Sequence, residues 1–112
     1  MKILIIDDDP EIVSIVTFVL ESYIKAEFVT ASSVRDAIQR IDTEPTIDLV
    51  LSDYYLTKGN GGEIYKYLVK NKINIPYVLC SAVSLDECPE FEDPSQFIFH
   101  LVKPNIFESH LG

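Results

Sequence analysis

Apolar and polar positions change their period along the chain, and each change marks a new element. A short apolar run at residues 2–6 is followed at once by three aspartates, which is typical of a buried strand that ends in polar residues. Residues 12–20 then carry apolar side chains at helical spacing. Pro10 suits the start of that helix, because its missing N–H needs no partner there. The pattern predicts a strand followed by a helix.

The alternation continues to the end of the chain. It predicts a short strand at residues 27–30, a second helix capped by Ser32 or Ser33, and a strand at residues 47–52. The glycine-rich residues 58–62 are predicted to be a loop before a third helix, and further strands are predicted at residues 75–80 and 97–102. The third helix has an apolar face made of Ile64, Tyr65, Leu68 and Val69. Such alternation favours an α/β fold in which helices cover both faces of a five-stranded parallel sheet.

Length and charge narrow the class of protein. The 112 residues suit one domain, and we expect residues 1–112 to form it without an output domain. A formal charge of −9 disfavours direct binding to nucleic acid, and no apolar stretch is long enough to enter a membrane. Cys80 and Cys88 lack the spacing of a metal or redox motif; we expect Cys80 in the core and Cys88 exposed beside Pro89. These features indicate a cytoplasmic protein.

Polar residues stand at the predicted carboxyl ends of the strands, where open parallel sheets bind their ligands. They are Asp7, Asp8, Asp53, Ser81 and Lys103. Three neighbouring carboxylates repel one another unless a hard cation joins them, so the cluster predicts a Mg²⁺ site. Asp8 and Asp53 suit direct ligation and Asp7 ligation through water, while Asp53 is also a candidate nucleophile toward phosphorus. Lys103, Ser81 and the Ala82 N–H suit the oxygens of a transferred phosphoryl group.

These motifs resemble the receiver domain of bacterial two-component response regulators over nearly the whole chain. The matching features are the acidic pair Asp7-Asp8, the acceptor in Leu51-Ser52-Asp53, Gly61, Ser81-Ala82 and Lys103-Pro104. The resemblance implies a doubly wound sheet in the order 2-1-3-4-5. It also implies a Mg²⁺-dependent transfer to Asp53 from a histidine kinase or histidine phosphotransfer protein, catalysed largely by the receiver itself.

The resemblance assigns further roles to single residues. The backbone carbonyl of Tyr55 is expected to bind the metal, and Lys103-Pro104 is a candidate for a cis peptide bond. Ser81 and the residue three positions before the lysine are expected to form the switch; that residue is His100, where the family usually has tyrosine or phenylalanine. The downstream protein that reads the switch is unknown.

The chain departs from the family pattern in two regions. Thr57 stands where the family usually has proline. Pro89 and Pro94 interrupt the expected fourth helix, and only eight residues follow Pro104, so we expect a reduced fourth helix and a short fifth one. Those losses would leave apolar surface on strand five, and we expect a partner or a second copy of the chain, as a homodimer, to cover it.

Two other functions fit parts of the pattern. The first is a receiver-like scaffold that binds partners without phosphorylation, suggested by the reduced helices. The second is a phosphohydrolase of the haloacid dehalogenase type, with Asp7 as nucleophile and Asp9 as acid and base. That family usually has a longer chain, a cap insertion and a late acidic pair, whereas the last strand here leads to Lys103-Pro104.

Overall fold

The computed structural model describes residues 1–44, 46–80, 88–89 and 98–101, the last segment by its backbone. Strands and helices alternate as the sequence predicts. The elements are β1 (Lys2–Ile6), α1 (Pro10–Glu21), β2 (Glu27–Ala31), α2 (Val34–Thr43), β3 (Leu49–Ser52), α3 (Gly61–Lys70), β4 (Tyr77–Cys80) and β5 (Ile98–Leu101). The bounds of β1 coincide with the predicted strand, while β3 and β4 each begin two residues later than predicted.

The five strands form one parallel sheet in the order β2-β1-β3-β4-β5. This confirms the predicted fold class and strand order. Ile6 at the end of β1 pairs with Ala31 of β2 on one side and Ser52 of β3 on the other. The carboxyl ends of these three strands therefore reach the same edge of the sheet.

Each face of the sheet has its own hydrophobic core, because successive side chains of a strand point to opposite faces. Ile3 and Ile5 of β1 contribute to a core that includes residues of α1, whereas Leu4 and Ile6 contribute to a core that includes residues of α2 and α3. The first core also contains Leu51 and Val78, and the second contains Val50, Tyr77 and Leu79. Helices on both faces make the sheet doubly wound.

Helix α1 packs through one side only. None of its residues is fully buried, and Ile15, Phe18 and Val19 are exposed to solvent. In the segments that the structure describes, no helix combines the length and hydropathy needed to cross a membrane.

Side-chain caps fix where the helices begin. Asp9 caps α1 and Ser33 caps α2, the second of the two serines that the sequence offered. The start of α3 corrects a prediction, because Gly61 and Gly62 belong to the helix and not to the preceding loop. Asn60 and Glu63 form a reciprocal capping box there, and a cap of this kind stabilises a helix by about 1 kcal/mol.

The two cysteines also differ from expectation. Cys88 was predicted to be exposed, yet it is 1% exposed and belongs to the same core as Tyr77. Cys80 was predicted to be in the core; it is half-buried and packs against the core that contains Leu51 and Val78. Free cysteine behaves as a small apolar side chain and is among the residue types most often buried. The predicted fourth and fifth helices, and the apolar surface of strand five, lie outside the described residues.

Candidate functional site

The candidate site begins where β1 and β3 end side by side. The Asp53 N–H donates a hydrogen bond of 3.0 Å to the Ile6 carbonyl, and the Asp7 N–H donates one of 3.1 Å to the Ala31 carbonyl. The backbone ladder thus continues one residue beyond the strands and places Asp7 and Asp53 next to each other. The two residues line one small cavity against α1, and Asp7 is 7% exposed.

Backbone groups hold Asp53 and the turn after it. The Tyr54 N–H donates to Asp53 Oδ1 at 2.7 Å, which restricts rotation of the carboxylate. The Ser52 hydroxyl donates to the Asp53 carbonyl at 2.7 Å, and the Gly61 N–H donates to the Tyr54 carbonyl at 2.6 Å. The predicted phosphoacceptor is therefore attached to the start of α3 as well as to the sheet.

Gly61 allows this close approach. A Cβ atom at this position would lie 2.3 Å from the Asp53 carbonyl oxygen and 2.7 Å from the Tyr77 hydroxyl. The Tyr77 hydroxyl itself donates to the Gly61 carbonyl at 2.7 Å in the buried interior. Gly61, which carried part of the resemblance, is thus required by the packing beneath Asp53.

Asp8 is exposed and faces a different neighbour. The Thr57 hydroxyl donates a hydrogen bond of 2.6 Å to Asp8 Oδ2. Asp8 lines one surface groove together with Thr57, Arg35 and Lys58 and a second groove together with Asp7, whereas the small cavity that Asp7 and Asp53 share does not include it. The structure brings Asp7 and Asp53 together, keeps Asp8 beside Asp7, and joins Asp8 Oδ2 to the loop between β3 and α3.

Asp9 has a structural role at the start of α1. Its Oδ1 accepts a hydrogen bond of 3.0 Å from the Glu11 N–H, and its own N–H donates to Asp7 Oδ1 at 3.0 Å. The carboxylate that the phosphohydrolase alternative needs as acid and base is used here as a helix cap.

The structure describes only some of the remaining predicted site residues. Tyr55 is 64% exposed in the turn after Asp53 and forms an isolated bridge with Asn60; its predicted metal contact stays a prediction. His100 lies in β5 opposite Leu79, and its side chain is outside the described residues. Ser81, Ala82, Lys103 and Pro104 also lie outside them, so their predicted roles and the candidate cis peptide stay predictions.

The donor chemistry of the site suits a hard cation. Asp7, Asp8 and Asp53 offer carboxylate oxygens, the ligands that Mg²⁺ prefers. Among the residues described, no three side chains of the His, Cys, Asp or Glu type lie close enough together to form a metal site. The residues present therefore fit Mg²⁺ by the chemistry of their side chains, and one oxygen of Asp8 is engaged by Thr57.

Sequence reasoning missed two contacts. The bond from Thr57 to Asp8 joins residues 49 positions apart, and the only signal for it was a hydroxyl residue where a proline is usual. The buried bond from Tyr77 to Gly61 had one signal, a polar-tipped aromatic residue inside an otherwise aliphatic strand. Neither contact follows from periodicity, because the first depends on how two loops pack and the second on how the start of α3 packs against β4.

A doubly wound sheet with carboxylates at the adjoining ends of β1 and β3 defines a class of α/β proteins with a site at the carboxyl edge. Within that class, the amino-acid sequence identifies the family. The family profile described as the response regulator receiver domain matches residues 3–91. The chain belongs to the response regulator receiver domain family. Receiver domains are signalling modules of two-component systems, which act through phosphorylation of an aspartate and typically bind Mg²⁺ at that site.

Individual relatives agree with the family. The chain is 33% identical over 81 residues to the alkaline phosphatase synthesis transcriptional regulatory protein PhoP of Bacillus subtilis (strain 168). The match covers 72% of this chain and 33% of PhoP, so the chain spans about a third of that regulator. A receiver domain protein from Clostridium thermocellum has a TM-score of 0.77 and 28% identity, covering 92% of this chain and 82% of that one.

A more distant structure has the same fold. The response regulator TrrA from Thermotoga maritima, solved in complex with Mg²⁺-BeF, has a TM-score of 0.78 at 23% identity. The match covers 98% of this chain and 92% of TrrA.

Proposed function

We propose that the chain is a receiver that accepts a phosphoryl group on Asp53 from a histidine kinase or a histidine phosphotransfer protein. The observation that carries the proposal is the placement of Asp53 beside buried Asp7 at the carboxyl edge of β1 and β3, in a chain of this family. A carboxylate held against a second carboxylate at this edge supplies both a nucleophile and a cation ligand.

Each candidate residue has a role in this proposal. An Asp53 carboxylate oxygen attacks the phosphorus, and the bond from Tyr54 N–H to Oδ1 limits how the carboxylate can turn. Asp7, Asp8, Asp53 and the Tyr55 carbonyl would hold Mg²⁺, which supplies positive charge for the phosphoryl oxygens when bound. The Ser81 hydroxyl, the Ala82 N–H and Lys103 would bind those same oxygens, as the resemblance implies.

The transfer balances without another reactant. The Asp53 oxygen forms a bond to phosphorus while the bond from phosphorus to the donor histidine nitrogen breaks, and the nitrogen keeps the electron pair and takes up a proton. Water later cleaves the acyl phosphate, which returns the Asp53 carboxylate and releases inorganic phosphate. Ser81 and His100 are the proposed switch between the two states.

The wider setting is part of the same proposal. Residues 1–112 form the receiver, which acts in the cytoplasm and signals through contact with a downstream protein rather than through nucleic acid or membrane. The formal charge of −9 supports this choice of partner. A homodimer through the strand-five face remains the proposed cover for that surface.

The proposal predicts a single labile phosphoryl group. Incubation with a small phosphodonor and Mg²⁺ should add one phosphoryl mass to the intact protein, and Asp53→Asn should abolish the addition because an amide is a poor nucleophile. Asp48→Asn is the matched control, since Asp48 is exposed at the opposite end of β3 and should leave the addition unchanged. Equal labelling of wild type and Asp53→Asn would reject Asp53 as the acceptor.

One observation favours the scaffold alternative. Asp8 accepts a hydrogen bond from Thr57. Among the described residues, no three His, Cys, Asp or Glu side chains lie close enough together to bind a metal. A scaffold of this kind would bind its partner equally well as wild type and as Asp53→Asn, and neither protein would take up a phosphoryl group. Labelling of the wild type would exclude it.

A further inference from the structure

Thr57 and Asp8 connect two loops at the candidate site. The Thr57 hydroxyl, in the loop between β3 and α3, donates to Asp8 Oδ2, in the loop between β1 and α1, at 2.6 Å. Both side chains are exposed, so solvent competes with the bond. Because the acceptor is a carboxylate, the bond is stronger than one between neutral groups.

The direction of the Asp8 side chain follows this bond. Asp8 lines the groove that contains Thr57, Arg35 and Lys58. The cavity shared by Asp7 and Asp53 does not include it. A second groove is lined by both Asp7 and Asp8, so Asp8 lies beside Asp7 while its Oδ2 is engaged by the Thr57 hydroxyl.

The loop that carries Thr57 is itself well anchored. Tyr54 and Leu56 are each 8% exposed, and Tyr55 forms a bridge with Asn60 across the loop. The Leu56 N–H donates to the Gly59 carbonyl at 3.4 Å. These contacts restrain the backbone of the loop immediately before Thr57.

We infer that Thr57 is a positioning residue that lowers the affinity of the site for Mg²⁺ by competing for the Asp8 carboxylate. The inference rests on the proposed function, since it assumes that Asp8 serves the cation site. Binding of the cation through Asp8 Oδ2 then requires that oxygen to leave the Thr57 hydroxyl. The lowered affinity for Mg²⁺ depends on the hydroxyl group of Thr57.

Mg²⁺ titrations without any phosphodonor test the inference. Amide NMR shifts of the β1–α1 loop would give the Kd for wild type, Thr57→Val, Thr57→Ser and Thr43→Val. Valine matches threonine in shape but lacks the hydroxyl, so Thr57→Val should bind Mg²⁺ about two- to tenfold more tightly, the factor expected from one net hydrogen bond. Thr57→Ser keeps the hydroxyl and should retain the wild-type Kd.

Thr43→Val is the matched control. The Thr43 hydroxyl bonds only locally, donating to the Gln39 carbonyl at 2.8 Å in α2, and its loss should leave the Kd unchanged. An unchanged or weaker Kd in Thr57→Val, beside a wild type that binds Mg²⁺, would overturn the inference and leave the proposed function intact. If neither wild type nor Thr57→Val binds Mg²⁺, both fail. Binding by Thr57→Val alone would support the inference in its strongest form.

Discussion

At the scale of single residues, the candidate site depends on a small set of buried polar contacts beneath Asp53. The Ser52 hydroxyl, the Tyr77 hydroxyl and the Gly61 backbone meet there, with no space for a side chain at Gly61. Each donor reaches a carbonyl oxygen that would otherwise be deprived of solvent. The polar groups under the acceptor therefore stabilise the fold and fix the acceptor's position together.

The Tyr77 hydroxyl provides a direct measure of this arrangement. Tyr77→Phe removes the donor of the 2.7 Å bond and leaves the Gly61 carbonyl without that partner, which should cost about 1–3 kcal/mol of unfolding free energy. Urea unfolding would measure the loss. Tyr23→Phe is the control, because Tyr23 is 83% exposed and its change should stay within about 0.5 kcal/mol. A loss no larger than that of the control would show that the buried bond is not stabilising.

The sequence predicted the positions of some residues at the site and missed others. The placement of Asp7 and Asp53 was foreseen, because strand ends in a parallel sheet share an edge. The rotation of Asp8 toward Thr57 was not, because a side-chain torsion depends on a loop that no periodic pattern describes. The buried position of Cys88 was missed for a similar reason: neighbours distant in sequence surround it.

At the scale of elements, apolar periodicity predicted which segments form strands and helices, and local polar chemistry decided where they begin. The repeat of apolar residues identified α3, but the glycines at its start suggested a loop. The capping box of Asn60 and Glu63 starts the helix at Gly61 instead. The glycine content of residues 58–62 therefore predicted the start of α3 less well than the hydrogen bonds between Asn60 and Glu63 do.

The end of α2 is joined to the start of β1 by an ion pair that should make stability depend on pH. Lys2 Nζ lies 2.9 Å from Glu44 Oε2, and this hydrogen bond holds the pKa of Glu44 below its ordinary value of 4.5. A lowered pKa in the folded state adds stability above the ordinary pKa, and that stability is lost as the pH falls through the folded pKa.

Glu44→Gln should therefore be less stable than wild type near neutral pH, and the difference should disappear in acid well below pH 4.5. Urea unfolding of both proteins across that pH range would measure it. A difference that persists unchanged in acid would show that packing, and not the charge on Glu44, is responsible.

At the scale of the whole molecule, the candidate site lies at the carboxyl edge of a doubly wound sheet. The five-stranded order and the family profile over residues 3–91 agree on the class of protein. The alternation of strands and helices predicted a parallel sheet with helices on both faces, and the resemblance to receiver domains implied the strand order. The assignment of Asp53 as acceptor goes further and calls for a direct test.

The most direct test is Mg²⁺-dependent binding of beryllofluoride, a mimic of the acyl phosphate, followed by amide NMR on wild type and Asp53→Asn. The TrrA complex with Mg²⁺-BeF shows that a protein of this fold can bind such a mimic. The account predicts saturable binding to wild type, with shifts that reach Ser81 and His100, and no binding to Asp53→Asn. Absence of binding to wild type at millimolar Mg²⁺, or equal binding to both proteins, would contradict it.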